Sequence, residues 1–186
     1  MNERHVMTST TGLIDRYQDY RVRRWLVQEQ RTAGMLKSWR PQRRRRLLVI
    51  GVTVALVGLA VAGVLCAFDL QVVPIAVAMV SLLLFLPTWT MLRIASGGQD
   101  HAPEQMLDEW EIAERNKARS VGLALTQSLT MPGLFFLIWT SAIDPGADAY
   151  RTAYAGGLMV LAAVMAGGCA PAMIIGWTRP DPEPEP

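Results

Sequence analysis

Residues 47–67 read LLVIGVTVALVGLAVAGVLCA, 21 residues without a charge. At 1.5 Å rise per residue a helix of that length reaches roughly 31 Å, the thickness of a bilayer's hydrocarbon core. The stretch therefore predicts a transmembrane helix. A second apolar run, 72–92, follows after only Phe68, Asp69, Leu70 and Gln71, which leaves room for nothing longer than a tight hairpin. Pro74 suits the first turn of that helix, where a missing N–H costs little, and Pro87 lies deep enough to kink it. A third run covers about 121–143 and a fourth about 153–177, joined by the short polar loop 144–151. The expected fold class is all-α: a polytopic membrane protein with four transmembrane helices in two hairpins.

Composition agrees with the spans. Of the 186 residues 51% are hydrophobic and the mean hydropathy is +0.22, too apolar for an ordinary soluble domain. Basic and acidic residues, 18 and 16, nearly cancel overall, yet residues 1–46 hold 12 Lys/Arg against 4 Asp/Glu. Basic residues near span ends stay on the cytoplasmic side. Arg40 and Arg43 to Arg46 abut the first span, Arg93 closes the second, and Arg115, Lys117 and Arg119 precede the third, whereas the loops between spans one and two and spans three and four carry Arg151 alone. Both termini and the 96–120 segment are thus expected in the cytoplasm. Trp39, Trp89 and Trp177 fall near the inner interface, and Trp139, Tyr150 and Tyr154 near the outer one, as interfacial aromatics should.

The first span reads as a retained anchor, because 46 residues precede it and its apolar stretch exceeds the roughly 7–15 residues of a signal peptide. Leu65 also stands where a lipoprotein cleavage site before Cys66 needs a small residue. Cys66 and Cys169 are expected in opposite leaflets, too far apart for a disulfide. The chain divides into a basic cytoplasmic arm (1–46), a first transmembrane hairpin (47–95), a cytoplasmic acidic helix (96–120), a second hairpin (121–177) and an extended Pro/acid tail (178–186). With 16 Arg against 2 Lys, composition fits a high-GC bacterial source, which points to the bacterial cytoplasmic membrane.

The arm predicts a helix over about 13–39, with Ile14, Tyr17, Trp25, Leu26 and Leu36 among apolar positions that scatter around the wheel. Its Arg43, Arg44, Arg45 and Arg46 set topology first. Attraction to anionic lipid head groups of the inner leaflet comes second, at about 1 kcal/mol per basic residue near the surface, and nucleic acid is disfavoured because nothing resembles a nucleic-acid fold. Segment 100–120 places Pro103 in a first helical turn, acids early and Arg115, Lys117 and Arg119 late, matching the helix dipole. A helix from Pro103 is expected to run into the third span, since no further proline intervenes before Pro132. Met106, Leu107, Trp110 and Ala113 form one apolar stripe on it. Together with Glu111 and Arg43 to Arg46, the residues Met106, Leu107 and Trp110 are the candidate partner-binding set.

The string Leu107-Asp-Glu-Trp-Glu-Ile-Ala-Glu-Arg-Asn-Lys-Ala118 resembles the juxtamembrane Asp-Glu-Arg-type motif of uncharacterised small multi-span prokaryotic membrane proteins. Trp110 replaces the usual arginine. The resemblance covers about a dozen residues and implies the membrane architecture without an activity.

Pumps, ion-coupled carriers and intramembrane enzymes place ionisable groups inside their spans. None of the four cores contains Asp, Glu, Lys, Arg or His, so no catalytic residue, cofactor or metal site is expected. Glu104, Asp108 and Glu111 share a helical face, and a solvated surface paired with arginines accounts for them better than a cation does. Thr126, Gln127, Ser128 and Thr130 precede Pro132 in the third span. They fit a kinked helix that satisfies freed carbonyls, or else a polar pathway. Ala153/Gly157, Ala163/Gly167, Ala166/Ala170 and Ala172/Gly176 in the fourth span, with Gly58/Ala62 and Gly63/Ala67 in the first, are small-xxx-small pairs that let helices approach closely. The functional expectation is a non-enzymatic membrane accessory, regulatory or scaffold subunit that presents its charged cytoplasmic elements to a protein partner. The rival is a small transport or channel component formed by homo-oligomerisation around the polar face of the third span.

Overall fold

A computed structural model of the chain describes residues 12, 16–17, 19–20, 22–27, 30–32, 34–68, 72–98, 102–103, 106–143, 146 and 148–181. Leu13 and Ile14 of the arm, Glu104 of the carboxylate triad and the tail beyond 181 lie outside the described residues. Four long helices carry the fold: α1 Gln42–Ala67, α2 Val72–Ala95, α3 Glu109–Ile143 and α4 Ala149–Thr178. Each is long and apolar enough to cross a membrane.

The ends of these helices follow from local chemistry. Helix α1 starts ahead of the apolar run, directly after Pro41, whose backbone is extended; the arginine run is its first turn, because arginine is a good helix former and the first N–H groups find acceptors elsewhere. Helix α2 ends at Ala95, and the chain turns through Gly97 and Gly98 at φ +70° and +63°, a region that glycine enters without steric cost. Helix α3 begins at Glu109 rather than at Pro103. Asp108 is its cap: the Asp108 carboxylate accepts the Glu111 N–H at 2.7 Å, and capping in that geometry puts Asp108 itself outside the helix. Met106 and Leu107 accordingly stand ahead of the helix and not on a shared stripe with Trp110. From Glu109 the helix does run on without a break for 35 residues, through Pro132. Asp148 caps α4 in the same way, accepting from the N–H groups of Tyr150 and Arg151. The arm is helical over 22–27 and 30–32, but it turns at 34–36 and closes in a single 3-10 turn, Lys37–Trp39. A helix continuing to Trp39 is interrupted at Gly34, followed by Leu36 at φ +52°.

Packing is a row, not a square. Helices α1 and α4 form a central pair; α2 lies against α1, and α3 against α4, while α2 only grazes α4. The apolar windows of α1 and α4 are each 44% buried, against 22% for α2 and 11% for α3. Small residues set each contact. A Cβ on Gly63 of α1 would lie 3.0 Å from Met159 Cγ and 3.1 Å from the Ala155 carbonyl of α4. One on Gly51 would meet Thr88 of α2 at 3.0 Å. Around them, Leu48, Val52, Leu56, Phe85 and Leu92 make the larger apolar cluster, and Leu59, Ala62, Ala78, Leu158 and Ala162 the second.

Candidate functional site

The polar chemistry collects at one end of the bundle, where the start of α1, the end of α2, the start of α3 and the end of α4 meet. Hydrogen bonds stitch these ends together. Thr178 of α4 donates to Glu114 of α3 at 2.9 Å, Arg179 donates to the Ser96 carbonyl beyond α2 at 3.4 Å, and the Gln42 N–H at the head of α1 donates to Asp181.

The four consecutive arginines diverge, since successive residues on a helix point about 100° apart. Arg45 alone turns inward. It is 2% exposed, and its Nη2 donates to the carbonyls of Arg179 at 2.7 Å and Pro180 at 3.0 Å. Its Nε is buried without an acceptor. Arg43, Arg44 and Arg46 are exposed. Arg44 lies over the Trp39 ring at 5.9 Å and donates to the Ser38 carbonyl at 2.7 Å. Arg46 lies over Trp177 at 5.0 Å, and Arg93 over Trp89 at 5.9 Å. The three tryptophans assigned to one interface thus do fall at one end of the bundle, each under a guanidinium.

A cavity of about 570 Å³ opens beside Arg45. Arg40, Arg45 and Arg179 supply its cations, Glu111 and Asp181 its carboxylates, and Trp25, Met106 and Leu107 its apolar walls. The N-terminal arm therefore folds under the bundle, and Met106 and Leu107 share their cavity with Trp25. Trp110 stays outside. It is 65% exposed, at the rim of a second, small pocket of about 30 Å³ with Glu114, Arg115 and Arg179. Among the candidate partner-binding residues, then, Met106, Leu107, Glu111 and Arg45 converge on one cavity, Trp110 shares the small neighbouring pocket with Leu107 and Glu111, and Arg43, Arg44 and Arg46 face outward separately.

The polar residues of α3 do not share a lumen. Thr126 turns toward α4, where its hydroxyl donates to the Gly122 carbonyl at 2.9 Å and fills the space above Gly167. Thr130 Oγ1 is buried without a hydrogen-bond partner. Gln127 and Ser128 are exposed on the outer surface of α3. The groove on the other flank of α3, about 580 Å³ between α1, α3 and α4, is apolar but for Thr53, with Leu125, Leu129, Pro132, Met159 and Met173 among its walls. Among the described residues no group of three or more His, Cys, Asp or Glu is placed to hold a metal ion.

Two arginines gained a role that the sequence did not signal. Arg115, read from the sequence only as a basic residue before a span, is 2% exposed, and its Nη1 donates to the Ala102 carbonyl at 2.6 Å. Arg179, a single cation after Trp177-Thr178, ties α4 to α2 and lines the cavity. Its position two residues past an apolar run was the available signal. No family model, curated protein or solved structure matches the chain.

Proposed function

We propose that the protein is a non-enzymatic accessory or scaffold subunit of the bacterial cytoplasmic membrane, with four spans and both ends in the cytoplasm, which offers the surface around Trp110 to a protein partner. Trp110 carries this reading. An exposed tryptophan on the first turn of a charged helix, flanked by Glu109, Glu111 and Glu114, has the aromatic anchor and the polar surround of an interaction hot spot. The positive-inside distribution of arginine supports the orientation, and the three Arg–Trp pairs at the same end suit an interfacial belt. The test is gentle solubilisation followed by mass measurement of the particle. Wild type should carry a stoichiometric partner, and Trp110→Ala should lose it while still inserting in the membrane. A particle that contains this chain alone in both would overturn the reading.

One observation favours a second reading, a homo-oligomeric transport component. Gln127 and Ser128 face outward on the least buried helix, and an amide at bilayer depth gains from pairing across helices. In that case the measured mass is a multiple of the chain, and Gln127→Leu reduces it.

A further inference from the structure

We propose that the apolar groove between α1, α3 and α4 is a phospholipid site, in which one acyl chain lies along the groove and the lipid phosphate sits on Arg46 at its charged end. The inference rests on the four spans lying in a bilayer and owes nothing to the partner surface at Trp110. The groove holds about 580 Å³. Along α1 it runs from Thr53 to Val64, roughly 17 Å at 1.5 Å per residue, close to the roughly 15 Å of one leaflet. Its mean cross-section is then about 34 Å², under half of the roughly 80 Å² that a helix with its side chains takes up. A hydrocarbon chain fits there, and a helix of a second copy does not seat in it. The walls offer no polar side chain in want of a partner: the Thr53 hydroxyl already donates to the Val49 carbonyl at 2.9 Å, and Val57, Ala60, Leu125, Leu129 and Ala166 are apolar.

The helical stripes place the head group. Arg46, Thr53 and Ala60 recur every seven residues on α1, as Ala163, Ala170 and Trp177 do on α4, and seven residues return to the same face within about 20°. Arg46 and Trp177 therefore continue two walls of the groove, and they meet, with the guanidinium 5.0 Å from the ring centroid. Contact with a ring uses the plane of a guanidinium, whereas its N–H donors lie along the edge, in the fork that matches phosphate oxygens. On α3, Lys117 and Glu114 continue the face of Val121, and the Glu114 carboxylate accepts the Thr178 hydroxyl at 2.9 Å. That side of the mouth carries both signs, so the phosphate belongs on the side of α1 and α4. The hold comes from this polar contact, because a chain that leaves bulk lipid for the groove exchanges one hydrocarbon surrounding for another.

The experiment uses the full chain, delipidated in neutral detergent, and titrates it with dioleoyl phosphatidylglycerol and with dioleoylglycerol as the phosphate-free control, with adducts counted by native mass spectrometry. One phosphatidylglycerol should bind saturably per chain, and the control about tenfold more weakly or worse, the scale of a lost charge-assisted hydrogen bond. Arg46→Gln should weaken the phospholipid to the level of the control, whereas Arg43→Gln removes an equal exposed charge and should stay within about twofold, because charges away from the contact are screened. Val57→Trp fills the groove from a position that is 56% exposed and should weaken binding as much as Arg46→Gln does, since two groups cannot share the space. Leu83→Trp, on α2 and 66% exposed, should leave binding unchanged. In wild type, one equivalent of a phosphatidylglycerol with a mid-chain diazirine should cross-link to peptides that carry Val57, Leu125 and Ala166 and not to the one that carries Leu83. The site is overturned if binding does not saturate, if Arg43→Gln or Leu83→Trp loses as much affinity as its counterpart, or if the lipid-free particle is a dimer that Val57→Trp splits, which would give the groove to a second copy. An inserted chain that fails these tests sinks the site alone, while a chain that stays dissolved without detergent sinks the membrane reading beneath it.

Discussion

Gly122 of α3 and Gly167 of α4 face each other so closely that a Cβ on either would lie 2.7 Å from the other's carbonyl oxygen. Backbone meets backbone there, and the hydroxyl of Thr126 closes the gap beside them. The longest helix, with the least buried surface, is thus held to the bundle through a contact that has no spare volume.

Gly167→Leu and Gly122→Val should therefore destabilise the protein by at least the roughly 1–3 kcal/mol typical of overpacking, whereas Gly157→Leu should be tolerated. A side chain at Gly157 meets nothing within 4 Å, although Ala153/Gly157 has the same spacing as Ala163/Gly167. Thermal aggregation of the purified variants checks the order; equal losses at Gly157 and Gly167 would mean that a neighbour covers the outer face of α4.

Glu111→Arg adds a fourth cation to the cavity and should lower thermal stability. Arg44→Glu should not rescue it, because Arg44 lies over Trp39 away from Glu111, whereas Arg40→Glu should restore part of the loss. The rescue should shrink at high salt, as screening weakens the exposed part of the interaction. Melting curves of the single and double variants at two ionic strengths decide the matter, and rescue by Arg44→Glu would show that the cavity's charges are arranged otherwise.

For orientation, cysteines at Ser38 and Tyr150 are the informative pair, in a background lacking Cys66 and Cys169. Both positions are exposed, whereas Ser96, in the loop assigned to the cytoplasm, is buried and donates its hydroxyl to the Leu92 carbonyl at 2.7 Å. An impermeant thiol reagent on intact cells should label the Tyr150 position and spare Ser38. The reverse pattern would invert the protein in the membrane.

Asp108→Ala and Asp148→Ala each remove a side-chain cap and should cost about 1 kcal/mol, with Asn in place of Asp keeping most of the stability. Differential scanning measurements on the four variants provide the comparison. Losses below a few tenths of a kcal/mol would mean that the helix starts are held by packing rather than by their caps.

The spans were legible because length and uninterrupted apolarity are properties of a single segment, and the apolar runs at 47–67 and 72–92 both lie within observed helices. Helix starts were less so. Pro103 suited a first helical turn, and only the contact of the Asp108 carboxylate with the Glu111 N–H moves the start to Glu109. Facing was not legible at all from one helix. The small-residue pairs of α4 are identical in spacing, yet Gly167 touches α3 while a Cβ on Gly157 would meet nothing among the described residues, since the direction of a neighbour is not written in the helix it approaches. For the same reason the arginine run gives four cations at successive angles, and the selection of Arg45 as the inward one depends on where residues 179 and 180 come to rest.

That dependence extends to biogenesis. The carbonyls that receive Arg45 belong to residues 134 and 135 positions further along the chain, so during translation the first helix enters the membrane long before its anchor exists. Until residues 179 and 180 have been made, the same guanidinium lacks both of these acceptors. Once Arg179 and Pro180 leave the ribosome, it gains two carbonyl acceptors and becomes a structural bolt. A nascent chain cut after Thr178 would possess all four helices, with Gln42 and Arg46 still against Trp177, and would lack both acceptors of Arg45.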